Sequence, residues 1–159
     1  MDLFARTFPL AAADAGFSAL EITRHLALHH HRPERTDPVL LVSRCLSADR
    51  PWAGEHLLAL TGSRLSVSHA SRALHRIRLR LDAPVNQLRD VHWSVDPRRG
   101  TADLAVTTAG GERERFQLTT GDPELIDTTF GFVFRSAAEV RPVPARRPVP
   151  TPNIGPVPR

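Results

Sequence analysis

Between Pro38 and Ala138 short apolar runs alternate with turn residues, and only after Gly121 does the apolar spacing lengthen to that of a helix. A chain patterned in this way buries its apolar faces as a small antiparallel β structure closed by one helix. Val39 to Leu46 is the first run, closed by Ser47-Ala48-Asp49-Arg50-Pro51. Glu55 to Thr61 and Arg64 to His69 flank Gly62-Ser63, the composition of a tight hairpin turn. Leu74 to Leu81 alternates until Pro84, with Ile77, Leu79 and Leu81 facing one way and Arg76, Arg78 and Arg80 the other. Leu88 to Asp96 places Val91, Trp93 and Val95 on one side. Asp103 to Thr108 and Glu112 to Thr119 flank Gly110-Gly111, a second hairpin signal. Asp122 then caps a helix that opens on Pro123, with Leu125, Ile126, Phe130, Val133, Phe134 and Ala137 as its buried stripe.

The flanks differ in composition and divide the chain into residues 1–37, 38–138 and 139–159. In the first zone Asp14 is placed to cap a helix through Phe17 to Leu26, with Ile22, Leu26 and His29 on one stripe flanked by Phe17 and Leu20, and Pro33 ending it. So short a stripe is stable only when packed on the domain or on a partner. The last zone, from Arg141 to Arg159, holds seven of the chain's 14 prolines and no acid. Proline lacks the backbone donor and fixes its φ, so an extended, solvated polyproline arm is expected there, a disordered tail acting as spacer or docking segment. It has no two prolines three residues apart, which is the spacing of an SH3 ligand.

Seven strands and then one amphipathic helix, in about 100 residues, resemble the bacterial PH-like (pleckstrin-homology-like) domains. The run from His56 to Ser68 is similar to that family's second hairpin, Asp90-Val-His-Trp-Ser-Val95 to its fifth strand, and Glu114-Arg-Phe-Gln-Leu118 followed by Asp122 to its seventh strand leading into the helix. The resemblance covers residues 38 to 138. It implies a mainly β fold, a seven-stranded partly open barrel of two orthogonal antiparallel sheets of four and three strands, with the C-terminal helix plugging one corner. Another small barrel, of OB or lipocalin type, is the alternative. The basic pattern by which lipid-binding PH domains hold phosphoinositides is reduced here to Arg44 and Arg50, which argues against headgroup binding by that route.

All 21 basic residues are Arg, and four of them lie in the last zone, leaving 17 Arg against 17 acids elsewhere. A nucleic-acid-binding domain usually carries a basic surplus on its folded part, whereas here the formal +4 sits entirely on the tail. No apolar stretch approaches the roughly 18 residues of a membrane span, and Asp2 stands where a secretory signal carries bases, so a soluble cytoplasmic protein is expected. The single cysteine, Cys45, excludes an intramolecular disulfide and sits in an apolar run as a buried, inert thiol.

Catalytic motifs are absent: there is no Gly-x-Ser-x-Gly, no phosphate-cradling Gly-rich loop and no fixed carboxylate pair, so no enzyme, cofactor or metal is expected. His25, His29, His30 and His31 include an i, i+4 pair that could hold a metal, but the plainer reading is imidazoles near a helix C-terminus. The residues singled out for partner binding are Trp52, in a loop after Pro51, and the ladder of Arg76, Arg78 and Arg80. Arg113 and Arg115 form a second ladder. Trp93 is expected in the core. Together these point to a non-catalytic PH-like scaffold or adaptor that binds a protein partner, helped by an open sheet edge. The alternative is peripheral binding to an anionic membrane or to nucleic acid through the exposed Arg residues and the basic tail, weak and non-specific.

Overall fold

A computed structural model describes residues 2–29, 36–71 and 76–139. The elements run α1 (Leu3–Asp14), α2 (Ala19–His29), β1 (Val39–Ser47), β2 (His56–Thr61), β3 (Arg64–Ala70), β4 (Ile77–Pro84), β5 (Arg89–Asp96), β6 (Thr101–Thr107), β7 (Arg113–Thr119) and α3 (Pro123–Glu139). Short 3-10 turns lie at Pro51–Ala53 and Val85–Gln87.

All seven strands are antiparallel and hydrogen-bonded in the order β4-β3-β2-β1-β7-β6-β5. Seven strands closed by a C-terminal helix is the PH-like order that the resemblance implied. Strand β1 joins the two halves of the barrel: it pairs with β2 on one side and, from Arg44 to Ser47, with β7 on the other, so hydrogen bonding runs continuously through all seven strands. Strands β4 and β5 are the edges and do not pair, which leaves the barrel partly open. The core draws Leu58, Leu60, Val67, Leu81, Leu104 and Phe116 from the sheet against Ile126, Phe130, Val133 and Phe134 of α3. Trp93 is half-buried: it wedges beneath α3, its ring near Phe130 and Phe134 and its Nε1 donating to Asp127 Oδ1 at 2.8 Å. Helix α3 starts as expected, with the Leu125 N–H donating to Asp122 Oδ1 at 3.0 Å. Leu125 itself is corrected from the buried stripe to the surface, 50% exposed.

The N-terminal zone also departs from expectation. It forms two helices, and Asp14 is the last residue of α1 rather than the cap of α2. Helix α2 is opened by a capping box, in which the Ser18 N–H donates to Glu21 Oε2 at 2.8 Å and the Glu21 N–H to Ser18 Oγ at 3.3 Å. Phe4, Phe8, Ala12 and Phe17 then pack on Val39, Val42, Leu57 and Ala59 of the outer face of β1 and β2. This second apolar layer explains why every residue of β2 is buried: His-Leu-Leu-Ala-Leu-Thr faces the barrel on one side and helices on the other. On α2 the fully buried residues are His25 and His29, with Ile22 and Leu26 half-buried and Leu20 exposed.

A bulge changes what β4 presents. Val67 pairs with Leu81 but Ser68 pairs with Leu79, so Arg80 has no partner on β3 and the alternation flips across it. Leu81 faces the core, whereas Leu79 lies opposite Ser68, the residue whose hydroxyl meets α2. The expected ladder of Arg76, Arg78 and Arg80 on one solvent face is therefore corrected. Arg76 and Arg78 are exposed, while Arg80 turns to Glu114 of β7, Nη2 to Oε2 3.0 Å, with side chains only 23% and 16% exposed. Leu74 and His75, the expected start of this strand, lie outside the described residues, as do His30, His31 and residues 140–159.

Candidate functional site

Trp52 stands on the 3-10 turn that joins β1 to β2 and is 80% exposed. It rims a cleft of about 750 Å³ between α2, this turn and the open ends of β2 and β3. The cleft brings together residues that are far apart in the chain: Glu21, Arg24 and His25 from α2, Arg44 from β1, Glu55 and His56 before and in β2, and His69 from β3.

Arg44 organises one wall. Its Nη1 donates to Glu55 Oε2 at 2.9 Å, its Nη2 lies 3.5 Å from Glu21 Oε2 and donates to the Gly16 carbonyl at 2.8 Å, and its guanidinium sits 4.2 Å over the Phe17 ring. One cation thus ties the start of α2 to β1 and to the loop before β2. The Glu21 carboxyl is held below its ordinary range, first by the Ser18 backbone N–H and further by Arg44. Arg24 also lines the cleft and is exposed.

Histidines form the floor. His56 and His69 are cross-strand partners whose ring centroids lie 4.5 Å apart, and His69 Nδ1 donates to the Glu55 carbonyl at 3.3 Å. His25 Nδ1 and Ser68 Oγ share a hydrogen bond of 2.6 Å, and the His25 ring meets Phe17 edge-on. Burial holds His25 down at about 4, with Glu21 opposing and Arg44 and His69 reinforcing the shift. Burial likewise holds His56 at about 4, reinforced by the nearby charges of His69 and Arg80. Both imidazoles are therefore neutral near pH 7, and the cleft at that pH offers aromatic surface, the neutral rings of His25 and His56, and the guanidinium groups of Arg24 and Arg44.

No group of three or more His, Cys, Asp or Glu side chains among the described residues is placed to hold a metal ion. His25 and His29, the described members of the histidine cluster, point into the fold; His29 packs edge-on to Phe4 and Phe8. Cys45 is buried and its thiol is pushed up to about 12 by burial, so it stays protonated and unreactive at neutral pH. Arg113 and Arg115 of β7 are exposed as expected. Arg113 Nη1 donates to the Asp90 carbonyl at 2.7 Å and to Thr107 Oγ1 at 3.0 Å, and Arg115 lies 3.6 Å from Asp49.

Of the residues singled out in the sequence, the structure puts Trp52 at the cleft, Arg78 on the edge strand β4 and Arg76 just before it, both exposed, and it takes Arg80 away from that surface. His56, His69 and Arg44 were missed. A signal for the histidine pair exists: a two-residue turn at Gly62-Ser63 makes cross-strand partners of residues equidistant from it, which are His56 and His69. Nothing in the sequence foretells that α2 brings His25 to the same place.

No family model and no curated protein matches this chain. Similar solved structures are a linker-DH/PH structure of p115-RhoGEF (TM-score 0.45, 7% identity, 87% of this chain, 39% of that one) and two of Vav1. The Vav1 structures are one inhibited by an allosteric inhibitor (0.41, 8%, 79% and 35%) and one of the apo activated truncation (0.42, 10%, 74% and 32%). The chain spans 32% to 39% of the length of these structures. No helix among the described residues is long and apolar enough to cross a membrane.

Proposed function

We propose that the domain is a non-catalytic adaptor that binds a protein partner at the Trp52 cleft. The observation that carries this is Trp52 itself: a large aromatic side chain, 80% exposed, on a short 3-10 turn beside a concave surface. Exposed apolar area of this size adds nothing to folding, whereas buried in a partner's pocket it is the commonest kind of binding anchor. The neutral rings of His25 and His56 and the Arg44-paired carboxylates of Glu21 and Glu55 supply polar complementarity for such a partner. The test compares wild-type chain and Trp52→Ala as bait, with captured proteins quantified by mass spectrometry at low and moderate salt. A partner retained at moderate salt and lost with Trp52→Ala supports the proposal; a partner set unchanged by the substitution sinks it.

A second reading, peripheral binding to an anionic membrane or nucleic acid, draws on Arg78 of the edge strand β4 and Arg76 just before it, both exposed. With Arg80 paired to Glu114, two cations of the ladder remain for it. Charge-driven binding of this kind weakens steeply with salt, as counterion release and screening require. Pelleting with phosphatidylserine vesicles, and a DNA mobility shift with Arg76→Ala/Arg78→Ala, separates it from the first reading.

A further inference from the structure

Helix α3 buries Ile126, Phe130, Val133 and Phe134 against the sheet, yet two more of its large apolar side chains face outward. Leu125 and Phe132 are 50% and 67% exposed. Seven residues apart, they share one stripe, with exposed Thr128 between them. Phe132 and Ser136 border a groove of about 580 Å³ between α3 and the turn after β4, lined also by Pro84, Val85 and Ala137.

Beside that stripe one flank of α3 carries an exposed acid near its start and an exposed base near its end, Glu124 and Arg135. The Arg135 guanidinium lies over Gly131, its Cζ 3.8 Å from where a Cβ would stand, and Glu124 is seven residues before Gly131 on the same flank. Along a single helix the two groups are out of reach, since seven residues rise about 10 Å. An antiparallel copy of the helix removes that separation. A two-fold axis sets each flank against itself in reverse, which brings Glu124 of one copy level with Arg135 of the other. The same axis places Phe132 beside Thr128, and Leu125 beside Arg135 and Ser136, at the mouth of the groove.

We propose that α3 is a self-association surface: two copies of this chain pair antiparallel through it, Leu125 of each entering the groove beside Phe132 and Ser136 of the other, and Glu124 of each meeting Arg135. A second copy is the occupant because opposite charges at the two ends of one apolar stripe make that stripe complementary to itself, as an isologous interface requires. Removing Leu125 and Phe132 of both copies from water supplies the attraction. The ion pairs set the direction, since a parallel pair would bring like charges level with each other. From Leu125 to Ser136 the contact spans about three turns of helix. It therefore lies at the low end of interface sizes, and the dimer is weak and concentration-dependent. This inference is independent of the Trp52 reading, whose cleft shares no residue with the groove.

The test is sedimentation equilibrium of the full chain over a range of concentrations. A mass rising from 17.6 kDa toward twice that value is expected. Phe132→Ser is expected to stay monomeric throughout, while its circular dichroism and its urea midpoint in dilute solution match those of the wild type. Glu124→Arg and Arg135→Glu are each expected to weaken association about tenfold or more, and the double exchange to restore it. Trp52→Ala is expected to leave the dimer intact. The proposal is overturned by a monomer at every concentration, by a dimer that survives Phe132→Ser, by a double exchange no better than the single ones, or by a dimer lost with Trp52→Ala.

Discussion

Arg80 of β4 reaches the carboxylate of Glu114 on β7, Nη2 to Oε2 3.0 Å. The two strands are not hydrogen-bonded neighbours, so this ion pair is a tie where the sheet lacks one. Both side chains are largely withdrawn from solvent. Glu114→Ala leaves a mostly buried guanidinium without its partner and is expected to cost about 1–3 kcal/mol, more than a surface pair and less than a fully buried one. Urea unfolding of the two single variants and of the double variant with Arg80→Met measures the coupling; additive effects would refute the tie.

Phe130 lies at the centre of the interface between α3 and the sheet, fully buried and in ring contact with Trp93 and Phe134. Phe130→Ala is expected to cost about 3–5 kcal/mol, a large share of the stability of a domain this size. Trp52→Ala is expected to change stability by no more than about 0.5 kcal/mol. Equilibrium denaturation of both variants checks the contrast. A large loss for Trp52→Ala would mean that the turn supports the fold, and an unchanged Phe130→Ala would remove α3 from the core.

The buried histidines make stability depend on pH. His25 and His56 are held at about 4 in the fold, against about 6.5 in the unfolded chain. Above pH ~6.5 neither state binds these protons and stability is flat with respect to them. Between ~6.5 and ~4 the unfolded chain takes up protons that the fold refuses, so stability falls as pH falls, by up to about 3 kcal/mol for His25. Glu21, whose folded value is depressed, adds its own loss as pH falls through the carboxylate range. Urea midpoints from pH 7.5 to 4.5 are expected to slope downward, and His25→Gln to lessen the slope. A slope unaltered in His25→Gln would show that His25 does not carry it.

Cys45 supplies a probe of opening. A buried thiol pushed up to about 12 is protonated and shielded at neutral pH. Ellman's reagent is expected to react with it only as fast as the chain unfolds, and fully in denaturant. Prompt reaction under native conditions would contradict the burial.

Strand order was legible in the sequence because turns and alternation are local. Gly62-Ser63 and Gly110-Gly111 fall at the two hairpins, and Asp122-Pro123 opens α3 as a cap and first residue should. The buried, inert character of Cys45 followed from its apolar run in the same way. Helix α2 was placed within a few residues although its cap was not, since Ser18 and Glu21 form the capping box that Asp14 was assigned.

What the tertiary structure alone decided depends on register and on contacts between distant segments. The bulge at Arg80 is a relationship between β3 and β4, invisible in a strand read by itself, and one extra residue sends the third arginine of an apparent ladder to Glu114. The cleft requires α1 to lie on β1, which Phe4 and Phe8 accomplish from far away in the chain, and α2 to pack on α1 and reach Ser68 of β3 through His25. The chain by itself determined which residues could be apolar partners and where the turns fall. Packing determined which polar side chains share a cavity, because proximity between residues 25, 56 and 69 exists only after the barrel has curled and the helix has docked.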